Sequence, residues 1–94
     1  MTTPLDESSH VTISASVYAR AFGDEIVLLE FGKGEYFGLD AVGAEIWRRL
    51  EAGDALGVVA DRIVAEYEVG RPEALRDIVA LVGELRSHDL VAIP

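Results

Sequence analysis

Few residues in this 94-residue chain could carry out catalysis or bind a metal. There is no cysteine, which excludes a thiolate nucleophile, a disulfide and a cysteine-ligated metal site. His10 and His88 are the only histidines, and no pattern of carboxylates pairs them as metal ligands. The run Ser8-Ser9-His10 places a hydroxyl beside a base, but no strained turn would hold the serine. Since no phosphate-binding loop is present either, the sequence predicts a binding protein without a cofactor or metal, and not an enzyme.

The charge balance argues against a nucleic-acid partner. Seventeen acidic residues against eight basic ones give a formal net charge of −9. Nucleic-acid binding depends largely on basic side chains that neutralise phosphates, so such a surface repels them. No apolar run approaches the ~20 residues of a membrane span, and the polar N-terminus lacks the pattern of a signal peptide. We therefore expect a cytoplasmic protein that does not bind membranes and whose partner is basic or neutral.

The predicted elements are three strands followed by three helices, an α+β order. Residues 1–10 are mostly polar and are predicted to form a flexible N-terminal tail, and residues 11–94 a single domain. The middle strand is apolar on both faces and is therefore predicted to be central, joined by a glycine-rich hairpin turn to an edge strand. The predicted strands are Val11 to Tyr18, Glu25 to Phe31 and Glu35 to Leu39.

Asp40 is predicted to cap a first helix that begins at Ala41 and is stopped by Gly53. Trp47 lies on its apolar face and is expected in the core. Asp54 is predicted to cap a second helix. The remaining elements are helices over about Ala55 to Tyr67 and about Pro72 to His88, and a short closing strand from Leu90 to Ile93. A unit of three strands and three helices of this length resembles a winged helix.

Two features suggest a binding surface. The third helix is apolar over about half of its circumference, more than a surface helix usually needs. It either fills a cleft between the sheet and the other helices or borders a groove for a partner. The edge strand, Glu35 to Leu39, has one charge and no proline to block pairing with another chain. It is either covered by this chain's own tail or open to an added peptide strand. Tyr36 and Phe37 should point to opposite faces of the sheet, so that one of them is exposed.

The same residues resemble a known family. The stretch GEYFGLDAVGAEIWRRLEAG, a helix ending at Tyr67 and then PEALRDIVALVGELRSHDLV are similar to PqqD-like domains, also called precursor-peptide recognition elements. The resemblance covers about Val11 to Ile93 and comes from the whole pattern, since none of its parts is a catalytic motif. It implies a winged-helix-like fold, with a three-stranded antiparallel sheet packed on three helices. Members of the family bind the leader segment of a ribosomally made precursor peptide beside the third strand and against the third helix.

Carried over residue by residue, the resemblance implies ten peptide-binding positions. The strand contributes Glu35, Tyr36, Phe37, Gly38 and Leu39, and the helix contributes Ala74, Asp77, Ile78, Leu81 and Leu85. Leu39 and Ile78 could instead be core residues. Asp77 is either a solvated carboxylate or a partner for a basic leader residue.

A free-standing domain of this length with the motif FGLDxVGxxIW looks most like the recognition subunit of lasso-peptide systems. That resemblance implies a separate transglutaminase-like leader peptidase as a partner, with a cyclase that closes the ring. A partner of a radical SAM enzyme, as in pyrroloquinoline quinone biosynthesis, is the nearest alternative. A winged-helix DNA-binding regulator is a weaker one, because the third helix and the residues next to it carry acidic residues that outnumber the basic ones. These are Glu73, Asp77, Glu84 and Asp89 against Arg71, Arg76 and Arg86.

Overall fold

The computed structural model describes residues 5–93, and it contains five strands and three helices over that range. The strands β2, β3 and β4 form an antiparallel meander with β3 in the centre, and β1 pairs with β5 in a separate two-stranded ladder. The elements in chain order are β1 (Thr12–Ile13), β2 (Val17–Phe22), β3 (Glu25–Glu30), β4 (Glu35–Leu39), α1 (Ala41–Glu51), α2 (Leu56–Glu66), α3 (Arg71–Ser87) and β5 (Val91–Ala92). The predicted α+β class is confirmed, and the predicted edge strand is β4.

The prediction of one continuous first strand was wrong. The alternation over Val11 to Tyr18 is divided between two ladders, since β1 ends at Ile13 and the sheet strand β2 runs from Val17 to Phe22. Ser14 marks the change of partner, because its amide donates to the carbonyl of Leu90 and its hydroxyl to that of Asp89. A two-residue period predicts extended chain but does not say which strand it pairs with.

The helix boundaries follow from local capping. The carboxylate of Asp40 accepts the amide of Gly43 at 2.9 Å at the start of α1, as predicted. Gly53 follows α1 with φ of 88°, a conformation that favours glycine. Asp54 does not cap α2, and that prediction was wrong: the N-cap residue is Ala55, which has no side chain able to accept a hydrogen bond.

The start of α2 is capped instead by the N-terminal segment. The amides of Leu56 and Gly57 donate to the carbonyls of Ser9 and Glu7, at 2.9 and 2.8 Å. His10 Nδ1 lies 2.9 Å from the carbonyl oxygen of Gly53. These contacts of residues 5–10 were not foreseen from the sequence. The prediction of a flexible tail over residues 1–10 stays a prediction, and residues 1–4 lie outside the described residues.

The core lies between the inner face of the sheet and the three helices. Trp47 of α1 is fully buried, as are Leu28 of β3 and Ile78 of α3. The indole Nε1 of Trp47 has no hydrogen-bond partner among residues 5–93. Fully buried apolar side chains of this size each contribute ~1.5–3 kcal/mol, so these residues fix how the helices lie on the sheet. No helix among the described residues is long and apolar enough to span a membrane.

Candidate functional site

Strand β4 has one paired edge and one free edge. Among residues 5–93 it pairs only with β3, from Glu30 opposite Glu35 to Ile26 opposite Leu39. Alternate amides and carbonyls of an edge strand point away from its neighbour. The described part of the N-terminal segment does not cover this edge, since it lies against the start of α2. Within the part of the chain that the structure describes, this edge has no strand partner.

Beside β4, the structure has an open cavity of about 600 Å³ that we call the β4–α3 groove. One wall is the end of β4 and the start of α1, and the other is the exposed side of α3. The lining residues are Phe37, Gly38, Leu39, Asp40, Val42, Gly43, Ile46, Asp77, Leu81 and Glu84. A cavity of this size lies within the range of ligand sites in proteins.

A smaller, more apolar pocket of about 160 Å³ adjoins the groove, and we call it the helix pocket. It shares Val42, Ile46 and Asp77 with the groove. The rest of its wall comes from α2, α3 and the loop between them, namely Ile63, Tyr67, Val69 and Ala74. A segment bound along β4 could therefore continue between the helices and place an apolar side chain there.

The predicted strand residues divide between the two faces of β4. Tyr36 is 77% exposed and lies on the outer face of the sheet, away from the helices. Phe37 points towards α3, where its ring centroid lies 5.6 Å from that of His88. Leu39 shares this inner face and is only 4% exposed. Glu35 and Gly38 are exposed. The predicted alternation of Tyr36 and Phe37 is thus present in the structure.

The predicted helix residues also divide. Asp77 is exposed and Leu81 half-buried, and both line the groove. Ile78 and Leu85 are fully buried in the core, and Ala74 is 2% exposed at the edge of the helix pocket. Much of the broad apolar stripe on α3 is therefore covered by this chain's own sheet and helices. Of the stripe's apolar residues, only Leu81 lines the groove, between the exposed carboxylates of Asp77 and Glu84.

Other residues that line the groove were not predicted from the sequence. Val42 and Ile46 lie in the N-terminal half of α1, and Glu84 lies seven residues beyond Asp77 on α3. Helical spacing could have indicated Glu84, since positions seven apart share a face. Nothing in the sequence separates Val42 and Ile46 from ordinary core positions on α1.

The turn between β3 and β4 is held by a nearly buried glutamate. Glu30 is 4% exposed, and its carboxylate accepts the amides of Gly32 at 2.7 Å and Lys33 at 2.8 Å. These amides, with the hydroxyl of Ser16 and the charge of Lys33, lower the pKa of Glu30 below its ordinary value. Lys33 Nζ also lies 2.5 Å from the carboxylate of Asp89, just after α3. The start of β4 is thereby fixed relative to the C-terminal end of α3.

The outer face of the sheet carries exposed aromatic side chains, and we call it the aromatic face. Tyr18 lies across from Leu29, which in turn pairs with Tyr36, so all three share this face. The rings of Tyr18 and Phe31 are 6.4 Å apart between centroids, and Arg20 lies 5.8 Å from the centroid of Phe22. The four aromatic side chains are 52 to 77% exposed. Contiguous exposed apolar surface of this kind marks interaction sites.

No metal-binding cluster of His, Asp or Glu occurs among residues 5–93.

The fold and the groove together define a class of protein: a small α+β domain in which a free sheet edge faces a helix across a cleft. The family described as coenzyme PQQ synthesis protein D (PqqD) matches residues 25–91. The chain belongs to this family, which confirms the resemblance read from the sequence.

Two solved structures are similar to the chain over most of its length. TbiB1, in complex with the TbiA(beta) leader peptide, is 43% identical, with a TM-score of 0.81 over 84% of this chain and 92% of that one. A lasso peptide synthetase B1, complexed with its leader peptide, is 32% identical, with a TM-score of 0.83 over 89% and 99%. No curated protein matches the chain.

Proposed function

We propose that this chain binds the leader segment of a precursor peptide in lasso-peptide biosynthesis and delivers it to a separate leader peptidase. The observation that carries the proposal is the free edge of β4 facing α3 across the 600 Å³ groove. Both similar structures hold leader peptides, and one is a lasso peptide synthetase subunit. They are 43 and 32% identical to this chain, and each alignment covers most of both aligned chains. We therefore expect this chain to bind the same class of ligand.

The bound leader would extend the sheet as a fourth strand. Main-chain hydrogen bonds to the β4 edge would supply affinity that depends little on leader sequence. Alternate leader side chains would point into the groove, towards Phe37 and Leu81, and would supply specificity. A further apolar leader residue would occupy the helix pocket. The binding residues we propose are therefore those that line the groove, and Ile78 and Leu85 act as core supports behind them.

Delivery requires a second surface, and the aromatic face offers one. It lies on the opposite side of the sheet from the groove, so an enzyme docked there would not displace the leader. Aromatic residues are enriched at interface hot spots because they bury large area at low entropic cost. We propose that the transglutaminase-like leader peptidase docks on this face. The chain itself acts without catalysis or cofactor, in the cytoplasm, and the cyclase acts later in the pathway.

The proposal is tested by reconstituted cleavage. Where the neighbouring genes encode a precursor and a leader peptidase, the two are combined with and without the chain, and the release of leader is followed by mass spectrometry. Cleavage that depends on stoichiometric chain supports delivery. Equal cleavage rates without the chain would contradict it.

A second candidate follows from the family description, which names coenzyme PQQ synthesis. In this alternative the chain presents its peptide to a radical SAM enzyme, and the groove serves the same purpose. The neighbouring genes distinguish the two. A radical SAM enzyme in place of a peptidase and cyclase would favour the alternative.

A further inference from the structure

The charged side chains that line the β4–α3 groove are all acidic. They are Asp40, Asp77 and Glu84, and no lysine or arginine lines it. Asp40 is engaged at the start of α1, where it accepts the amide of Gly43. Asp77 and Glu84 are exposed, and within residues 5–93 neither forms an ion pair with a lysine or arginine. Two unpaired carboxylates therefore face the place where the peptide would lie.

These two carboxylates flank an apolar contact. Asp77, Leu81 and Glu84 are separated by four and three residues, so they form one row along the exposed side of α3. At 1.5 Å per residue this row is ~10 Å long. In an extended strand the side chains that share a face recur at ~6.6 Å, so three of them span ~13 Å. The flexible stem of a lysine or arginine can make up the remaining few ångströms.

We propose that the groove selects a peptide segment in which an apolar residue is flanked, two positions before and two after, by lysine or arginine. The apolar side chain packs on Leu81, and the two cations pair with Asp77 and Glu84. This inference rests on the proposed function, because it requires the leader to lie as a strand beside β4 and to run along the row on α3. The pairs supply specificity against acidic peptides, and the net charge of −9 attracts a basic leader to the chain.

The test compares two variants that remove the same charge. D77N/E84Q neutralises the groove, while E51Q/E66Q neutralises two exposed carboxylates of α1 and α2 that do not line it. Binding of the synthetic leader, taken from the precursor encoded beside this chain's gene, is measured by calorimetry in low and high salt. We expect D77N/E84Q to bind about three- to tenfold more weakly in low salt, with less difference in high salt. E51Q/E66Q should differ from wild type by less than about twofold.

A charge swap makes the test specific. The D77K/E84K variant should lose more affinity than D77N/E84Q and should regain part of it with a leader whose flanking basic residues are changed to glutamate. Three results would overturn the inference while leaving leader binding intact. D77N/E84Q and E51Q/E66Q could lose affinity equally, neither could lose affinity, or the leader could lack such basic residues. If the wild-type chain does not bind the leader at all, the proposed function itself fails.

Discussion

Tyr36 and Phe37 are neighbours on β4, yet their side chains lie on opposite faces of the sheet. Tyr36 is 77% exposed on the aromatic face, whereas Phe37 lines the groove on the inner face and its ring also lies against that of His88. A strand added beside β4 would keep the same alternation, so its side chains would also divide between the two faces. Tyr18 on β2 and Phe31 after β3 do not adjoin the free edge of β4, so substitutions there should affect docking of the peptidase and not binding of the leader.

Substitutions on the groove side should weaken leader binding. A buried charge in place of Phe37 or Leu81 removes apolar contact and leaves a carboxylate that the peptide would desolvate. We expect Phe37→Glu and Leu81→Glu each to raise the Kd for the leader about tenfold or more, measured by calorimetry. Val58→Glu is the matched control, because Val58 is 44% exposed on α2 and does not line the groove. If both variants keep wild-type affinity while circular dichroism shows an intact fold, the groove is misplaced.

Substitutions on the aromatic face should act on delivery alone. We expect the double change Tyr18→Ser and Phe31→Ser to leave the leader Kd within about twofold of wild type. The peptidase should need about tenfold more of this variant for the same cleavage rate, since aromatic side chains dominate interface energies. The comparison is made in the cleavage assay with labelled precursor, with Val58→Ser as control. Normal cleavage by the double variant would show that the peptidase docks elsewhere.

The hydrogen bonds that Glu30 accepts in the turn before β4 should make the melting temperature fall in acid. Hydrogen bonds to the ionised form lower the pKa of Glu30 in the folded state below its ordinary value of 4.5. The contribution of Glu30 to the free energy of unfolding is therefore fully present above about pH 4.5. It is lost as the pH falls through the lower pKa that Glu30 has in the folded state. Glu30→Gln should melt several degrees below wild type at neutral pH. The two melting temperatures should converge in acid.

Asp6 and Asp89 also have lowered pKa values, through hydrogen bonds from Ser8 and Lys33 respectively. Their contributions have the same sign. Asp6 shares no partner with Glu30, so its contribution cancels in the comparison, whereas Asp89 is coupled to Glu30 through Lys33. A difference in melting temperature that stays constant with pH would contradict the assigned role of Glu30.

The N-terminal segment should contribute stability but no binding. Removal of residues 1–10 deletes the two carbonyl caps of α2 and the ion pair from Glu7 to Arg71. We expect the free energy of unfolding to fall by about 1–3 kcal/mol in urea, mainly from the lost hydrogen bonds. Leader affinity should be unchanged, because these contacts lie away from β4. Unchanged stability would support the flexible tail predicted from the sequence.

The sequence predicted the elements that depend on local signals. The glycines before Glu35 and the capping carboxylate of Asp40 mark β4 and the start of α1, and both lie where expected. The class and family were also correct, since the pattern extends through most of the chain. Such features depend on residues that are close together in the chain.

What the sequence did not predict depends on partners distant in the chain. β1 pairs with β5, whose partner residues lie 78 and 80 positions further along the chain, and Ser9 caps a helix that begins at Leu56. Ile78 and Leu81 are alike as apolar positions on α3, yet one is buried and the other lines the groove. Only the tertiary packing of α3, in which Ile78 faces the core and Leu81 faces the groove, decides between them.

The central claim is that the leader binds as a strand on β4, and an N-methyl scan of the leader tests it most directly. Each leader amide in turn is methylated, and the Kd is measured for every peptide. In an added strand, alternate amides donate to β4, so we expect affinity losses of about fivefold or more at every second position only. Uniform losses, or none across the segment, would contradict strand addition.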